Sequence, residues 1–177
     1  MSTLKGYVLR SDIRLYLLFN REIQNKILDR LLLGLTRLFD TPAVIAFVLG
    51  VYIYSSSTGH PIGRHLLLLL CASEGVTHLI KIIVNRARPF VSIHEALFEF
   101  VPPKDVYSFP SGHTCAAFSY ALTLMFFFPA YKLIWLSIAG LVGVSRVYLG
   151  YHYPTDVIIG AMIPILMKAL LLGSGWL

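Results

Sequence analysis

Five stretches of nearly uninterrupted apolar residues dominate this sequence and restrict it to a narrow class of folds. They cover residues 41–57, 62–84, 114–128, 133–149 and 157–172. Each approaches the roughly 20 residues that an α-helix needs to cross the hydrocarbon core of a bilayer. Only helices and closed barrels satisfy their backbone in lipid, and these runs lack the alternation of barrel strands. The sequence therefore predicts an all-α, polytopic membrane helix bundle with about five spans.

Composition and charge agree with a single membrane-embedded domain over residues 1–177. Of the 177 residues, 56% are hydrophobic and 14% are charged, which leaves too little polar surface for a soluble domain. The bundle is expected over residues 41–177, and nothing near the start resembles a cleaved signal peptide.

Residues 1–40 are expected to form a basic amphipathic segment at the membrane surface. Apolar side chains recur there at helical spacing, and basic residues lie mostly on the other side. The apolar positions are Ile23, Ile27, Leu31, Leu35 and Leu38. An ordinary cytoplasmic end set by the positive-inside rule is an alternative interpretation. Nucleic-acid binding is not expected, because long aliphatic residues interrupt the basic ones.

Polar residues inside the apolar runs are costly, and their positions indicate function. The second run and its end carry five of them on one helical stripe, within about 80° of one another at 100° per residue. They are Glu74, His78, Lys81, Asn85 and Arg88. We expect this stripe to face the bundle interior or a water-filled cavity.

Helix alternation brings three polar clusters to one membrane face. The clusters are Lys81 with Arg88, then Ser111-Gly112-His113, then Ser145-Arg146 with His152 and Asp156. Three cations at adjacent helix ends imply an anionic ligand with several oxygens, and phosphate suits guanidinium and ammonium groups. Ser111 can cap its helix, so that the amides of Gly112 and His113 point at the same anion, and glycine permits close approach.

Two histidines in these clusters suggest phosphoryl transfer. Asp156 can hold the Nδ1–H of His152 and leave Nε2 free as a nucleophile, while His113 can protonate a leaving oxygen. Two alternatives remain open at this stage. One is a zinc site of these three side chains, which the three nearby cations oppose. The other is an anion or lipid transporter that uses the same cations.

The three clusters resemble the three-part signature of the type 2 phosphatidic acid phosphatase (PAP2) superfamily. Lys81-x6-Arg88-Pro89, Pro110-Ser111-Gly112-His113 and Ser145-Arg146-x5-His152-x3-Asp156 stand complete and in order. The resemblance implies a metal-independent lipid phosphatase without a cofactor, in a short, five-span form. It implies His152 as nucleophile, Asp156 as its orienting partner and His113 as general acid. It also implies that Lys81, Arg88, Ser111, Gly112 and Arg146 bind phosphate.

The implied partners are the bilayer and a phosphorylated membrane lipid. Candidate substrates are undecaprenyl diphosphate, the 1-phosphate of lipid A, phosphatidylglycerophosphate and phosphatidic acid. Haloperoxidase chemistry is a further alternative, because related sites bind vanadate. The predicted spans and the lack of a large soluble domain in this sequence argue against it. The resemblance also implies a bacterial inner membrane with the site on the periplasmic face. The positive-inside rule opposes that orientation, because the predicted site side carries all Lys and Arg residues except Arg64, Lys132 and Lys168.

Several polar residues have no role in this interpretation. A loop between the second and third runs carries charges that are expected to be solvated or to form a lid. They are His94, Glu95, Glu99, Lys104 and Asp105. Glu74 and His78 are expected to make a buried polar contact, and His60 and His65 lie on the opposite face.

Overall fold

Over residues 2–98 and 105–176, which the computed structural model describes, the chain forms eight α-helices and no strand. They are α1 (Ser2–Leu17), α2 (Lys26–Arg37), α3 (Thr41–Thr58), α4 (Ile62–Val84), α5 (Pro89–Ser92), α6 (Gly112–Phe127), α7 (Lys132–Tyr148) and α8 (Pro154–Gly173). A π-helical stretch, Leu18–Glu22, follows α1, and a 3-10 turn, Pro129–Tyr131, precedes α7. The prediction of an all-α fold is confirmed. The loop charges Glu99 and Lys104 lie outside the described residues.

Four of these segments have the length and hydropathy of membrane-spanning helices. They are Thr41–Thr58, Ile62–Val84, Pro129–Tyr148 and Pro154–Gly173. The remaining apolar run, residues 114–128, lies mostly in α6. This helix has 16 residues and is therefore about 24 Å long at 1.5 Å per residue. The chain is a membrane protein, and its predicted count of about five spans agrees with a bundle of α3, α4, α6, α7 and α8.

Helix α6 lies at the centre of the bundle and packs against α4, α7 and α8. Its buried face is built largely from small side chains, including Cys115, Ala116, Ala117 and Ala121. Small residues let helices approach closely where lipid supplies no hydrophobic driving force. Large apolar residues such as Ile83 and Leu170 are instead exposed on the outside of the bundle, where lipid would cover them.

Two glycines bring helix α8 against its neighbours at one end of the bundle. A Cβ on Gly160 would lie 2.6 Å from the carbonyl oxygen of Ser111, and one on Gly143 would lie 2.8 Å from Cγ1 of Val157. The Ser111 amide also donates to the Asp156 carbonyl at 3.0 Å. Close approach therefore holds the N-termini of α6 and α8 together.

The N-terminal segment has the amphipathic character that its sequence predicts. Ile27 and Leu31 on α2 are 73% and 63% exposed, while Leu28 and Leu32 pack against the cluster that contains Tyr148. The exposed apolar side suits the surface of a membrane. The opposite side contacts the bundle, so this segment also takes part in the tertiary structure.

Candidate active site

The three predicted clusters meet at one end of the bundle. Lys81 lies in the last turn of α4, and Arg88 lies in the segment that follows α4. His113 belongs to the first turn of α6, and Arg146 to the last turn of α7. His152 lies in the short connection between α7 and α8. Five chain segments therefore contribute to one site, as the alternation of apolar runs predicted.

His152 is fully enclosed and held in one tautomer. Its side chain is 2% exposed, and its Nδ1 lies 2.7 Å from the carbonyl oxygen of Ser108. Because a carbonyl only accepts, Nδ1 carries the hydrogen, and Nε2 carries the lone pair. That lone pair accepts from Nη1 of Arg88 at 3.3 Å. Burial, and after it the charges of Arg88 and Arg146, hold the pKa of His152 well below its ordinary 6.5. The imidazole is therefore neutral and suited to act as a nucleophile.

The structure gives Asp156 a different set of contacts from the predicted one. Its Oδ2 lies 3.6 Å from Nδ1 of His152, beyond hydrogen-bond distance, because the Ser108 carbonyl occupies that position. Oδ2 instead accepts from the Tyr153 amide at 2.8 Å and caps α8. Oδ1 accepts from Nη1 of Arg86 at 2.7 Å. The predicted direct bond to His152 is thus replaced by a role in fixing the helix that follows it.

Arg86 joins Asp156 to the N-terminal helix. Its Nη2 donates to Oδ2 of Asp12 at 2.8 Å, and Asp12 is 2% exposed. The same Asp12 accepts from the Thr155 amide at 3.0 Å. Helix α1 is therefore tied to the start of α8 directly beside the site.

Lys81 and Arg88 share one carboxylate from the loop before α6. The Lys81 ammonium is hydrogen-bonded to Oδ2 of Asp105, and the Arg88 Nη2 lies 3.6 Å from the same oxygen. Partial burial favours a higher pKa for Asp105, but its bonds from Lys81 and the Tyr107 amide lower that pKa overall. Asp105 is therefore an ionised partner of two predicted phosphate ligands and not a free loop charge.

Arg146 is the most isolated cation of the site. Its side chain is 5% exposed, its Nη1 donates to the Thr36 hydroxyl at 3.1 Å, and its guanidinium lies 3.9 Å from the centroid of the Tyr151 ring. Its buried Nε has no hydrogen-bond acceptor within the described residues. A buried donor of this kind is costly unless an acceptor binds it. Arg146 therefore points to an anionic ligand.

The start of α6 is capped by Ser111, as the sequence predicts. Ser111 is the N-cap, and its hydroxyl accepts from the Thr114 hydroxyl at 2.9 Å and from the Thr114 amide at 3.4 Å. The amides of Gly112 and His113 have no acceptor within the helix, as at any helix start. A Cβ on Gly112 would meet Oε2 of Glu74 at an ordinary 3.6 Å. Packing within the protein therefore does not require glycine here, and room for a ligand remains the better reason.

His113 has a carboxylate partner that the sequence analysis did not identify. Its Nε2 lies 2.8 Å from Oδ1 of Asp40, the residue that joins the N-terminal segment to α3. The predicted general acid is thus oriented by the segment that was expected merely to lie on the membrane.

The polar stripe on α4 does not face the interior along its whole length. His78 and Asn85 are exposed, and Asn85 ends α4 in a left-handed conformation at φ 48°. Glu74 is half-buried, and its Oε1 has no hydrogen-bond partner in the described chain. Below it α4 buries Leu66, Leu69 and Leu70. A path of polar groups across the membrane is therefore absent from the described helices, and the transporter alternative receives no support.

Five residues of the site were missed at the sequence level, and their signals were weak. They are Asp12, Asp40, Arg86, Asp105 and Ser108. The chain has nine acidic residues in all, so each acidic residue beside a predicted span end was a candidate partner for a cation. No local sequence pattern distinguishes the acidic residues that pair with a cation from those that do not. Within residues 2–98 and 105–176, no three His, Cys, Asp or Glu side chains are grouped as metal ligands.

The fold and these contacts define a class of protein: a membrane helix bundle with buried arginines and two histidines gathered at one end. A sequence profile of the PAP2 superfamily matches residues 63–176, and the chain belongs to that family. Every residue of the predicted site falls within the matched range.

Named relatives and a solved structure agree with this family. Phosphatidylglycerophosphatase B of Bacillus subtilis is 31% identical over 163 residues, which cover 82% of this chain and 74% of that protein. A lipid A 1-phosphatase of Rhizobium johnstonii is 33% identical over 102 residues, or 56% of this chain. The alignment covers 42% of that relative, less than half its length. The crystal structure of Aquifex aeolicus LpxE matches with a TM-score of 0.78 at 26% identity, covering 90% of this chain and 93% of the other.

Proposed function

We propose that this protein is a metal-independent phosphatase that removes a phosphate or diphosphate group from a membrane lipid through a phosphohistidine intermediate. The observation that carries the proposal is the buried Arg146, whose Nε lacks an acceptor in the described chain, beside a neutral His152. Membership of the PAP2 superfamily supports the same activity.

In the proposed reaction, Nε2 of His152 attacks the phosphorus atom. A P–N bond forms as the P–O bond to the lipid breaks, and His113 gives a proton to the leaving oxygen. Lys81, Arg88 and Arg146 stabilise the charge on the remaining phosphoryl oxygens, together with the amides at the start of α6. Water, deprotonated by His113, then attacks phosphorus, and inorganic phosphate leaves with His152 restored.

We propose an envelope lipid as the substrate, because the site lies at the end of a membrane bundle. The candidates are undecaprenyl diphosphate, lipid A 1-phosphate, phosphatidylglycerophosphate and phosphatidic acid. The names of similar proteins support three of these: lipid A 1-phosphate, undecaprenyl diphosphate and phosphatidylglycerophosphate. A panel of the four lipids, assayed for phosphate release by the purified protein in detergent, is expected to give turnover that survives strong chelators. Acid-labile phosphate at His152, found by mass spectrometry after rapid quenching, would identify the intermediate.

Two outcomes would overturn the proposal. One is the absence of phosphate release from every lipid of the panel, and the other is release that a chelator abolishes. The second outcome would restore the zinc alternative.

We further propose that the protein lies in a bacterial inner membrane with its site on the periplasmic face. The support for this orientation is the resemblance to bacterial phosphatases of envelope lipids. The positive-inside rule opposes it, because that rule counts Lys and Arg residues whatever acidic partners they have in the fold. Cysteine placed at the exposed Glu95, in a Cys71→Ser background, should react with a membrane-impermeant maleimide in intact spheroplasts. Labelling confined to lysed cells would place the site in the cytoplasm.

A further inference from the structure

The carboxylate of Asp40 contacts a histidine 73 residues away in the sequence. We infer that Asp40 is a positioning residue for the reaction: it orients His113 and stabilises the protonated ring that donates to the leaving oxygen. This inference rests on the proposed phosphatase function.

The position of Asp40 in the chain is the first argument. Asp40 is the N-cap residue of α3, with extended backbone angles, φ −66° and ψ 147°. Aspartate in that position usually accepts a hydrogen bond from the first turn of its own helix. Here the side chain makes no such bond, and its Oδ1 lies 2.8 Å from Nε2 of His113. The Asp40 carboxylate therefore binds a side chain of α6, although its backbone begins α3.

The geometry also determines which nitrogen of His113 can deliver a proton. A carboxylate only accepts, so Nε2–H of His113 donates to Asp40. Nδ1 is then the ring nitrogen left to donate to a leaving oxygen. It can do so only if it also carries a hydrogen, which requires the doubly protonated imidazolium.

The surrounding charges make that imidazolium depend on Asp40. His113 is within electrostatic range of Lys81 on α4, Arg146 on α7 and His152 in the connection that follows α7. Burial opposes a positive charge on this ring most strongly, and the two cations add to that effect, whereas the Asp40 carboxylate favours the charge. Without Asp40, His113 would be expected to be neutral at the start of the reaction and unable to act as an acid.

The two histidines therefore have opposite requirements that the fold meets separately. His152 must be neutral to attack phosphorus, and burial beside Arg88 makes it so. His113 must begin protonated, and Asp40 is the group in the described chain whose contact favours that form. As the P–O bond breaks, the proton on Nδ1 of His113 passes to the leaving oxygen, while the Nε2 hydrogen stays on the ring and remains hydrogen-bonded to Asp40. Nδ1 then takes a proton from the water that hydrolyses the phosphohistidine.

The test is Asp40→Asn, which keeps the shape of the side chain and removes its charge. The matched control is Glu22→Gln, an exposed acidic residue of the same N-terminal segment. Each variant is assayed with a lipid phosphomonoester, whose alkoxide leaving group needs an acid, and with an aryl phosphate, whose leaving group does not. Asp40→Asn should lower kcat on the lipid roughly ten- to a hundredfold and leave the aryl phosphate nearly unchanged.

The pH profile and a rescue variant separate this role from a structural one. With Asp40→Asn, the alkaline limb of the kcat profile on the lipid should move to lower pH, while KM stays nearly constant. Asp40→Glu should restore most of the activity, and Glu22→Gln should match the unmodified protein. Equal losses on both substrates, or a lipid kcat equal to that of the unmodified protein, would overturn the inference. Inactivity of the unmodified protein on every substrate would instead reject the proposed function.

Discussion

Both ends of the helix bundle carry histidines and cations, but the two ends use them differently. At the end opposite the site, His65 packs against the rings of Phe126 and Phe127, with centroids 5.5 and 5.0 Å away. Lys168 donates to the Leu122 carbonyl at 2.7 Å and lies 5.1 Å from the centroid of the Phe126 ring. Arg64 is exposed. Each of these polar groups has solvent, a ring or a backbone carbonyl as its partner.

At the site end, two arginines are buried, and Lys81 and Arg88 share one carboxylate. Arg88 is 3% exposed and Arg146 is 5% exposed, and Asp105 serves both Lys81 and Arg88. Burial makes such charges costly unless counter-charges or ligands compensate them. The same residue types are therefore scattered at one end and gathered in a buried cluster at the other. The two ends differ in how closely their cations and histidines are brought together and how deeply they are buried. They do not differ in which residue types they contain.

The largest contrast is expected between the histidines of the two ends. His152→Ala removes the nucleophile and should lower kcat by at least about a thousandfold. His65→Ala, its control at the opposite end, should change kcat by less than about twofold, since it removes a ring contact far from the site. Phosphate release from a lipid substrate measures both. Turnover that survives in the His152→Ala variant would show that His152 is not the nucleophile.

A smaller loss is expected when a buried cation is removed. Arg88→Gln should lower kcat/KM roughly a hundredfold, because one donor to the phosphoryl oxygens is lost. The acidic limb of the residual profile should move to higher pH, since the lost charge no longer depresses the pKa of His152. Arg88→Lys keeps the charge and should keep the limb in place.

The control at the opposite end is Arg64→Gln, which should alter neither activity nor profile. If Arg88→Gln changed the rate without moving the limb, the charge of Arg88 would not be what keeps His152 neutral.

The smallest effect is expected at the loop carboxylate. Asp105 is 43% exposed and binds two cations that a phosphate would also need. Asp105→Asn should therefore strengthen competitive inhibition by inorganic phosphate, by up to about fivefold, since exposed ion pairs contribute up to about 1 kcal/mol. Glu95→Gln, an exposed change in the same loop, is the control. Inhibition that stays the same or weakens would mean that Asp105 organises the cations and does not compete with phosphate.

Much of the site could be predicted because its residues are tied to helix ends. The apolar runs set the alternation of the chain, and alternation alone placed Lys81, Ser111 and Arg146 on one face. The hydrogen-bond acceptor for Nδ1 of His152 could not be predicted: spacing of four residues favours Asp156, which lies 3.6 Å away. The Ser108 carbonyl comes nearer, and a backbone acceptor from another segment leaves no mark in the sequence. The exposed position of His78 was likewise set by how α4 packs against its neighbours.

By itself, the sequence determined that the chain is a membrane helix bundle and which residues form its signature. Both follow from local properties: the cost of a polar residue in lipid and the spacing along a helix. The tertiary structure decided the pairings: Asp40 with His113, Asp105 with Lys81, and Asp12 and Asp156 with Arg86. Those pairings join segments that are far apart in the chain, as does the close approach of α8 to Ser111 that Gly160 permits. Contacts over such sequence separations depend on packing, and no local pattern encodes them.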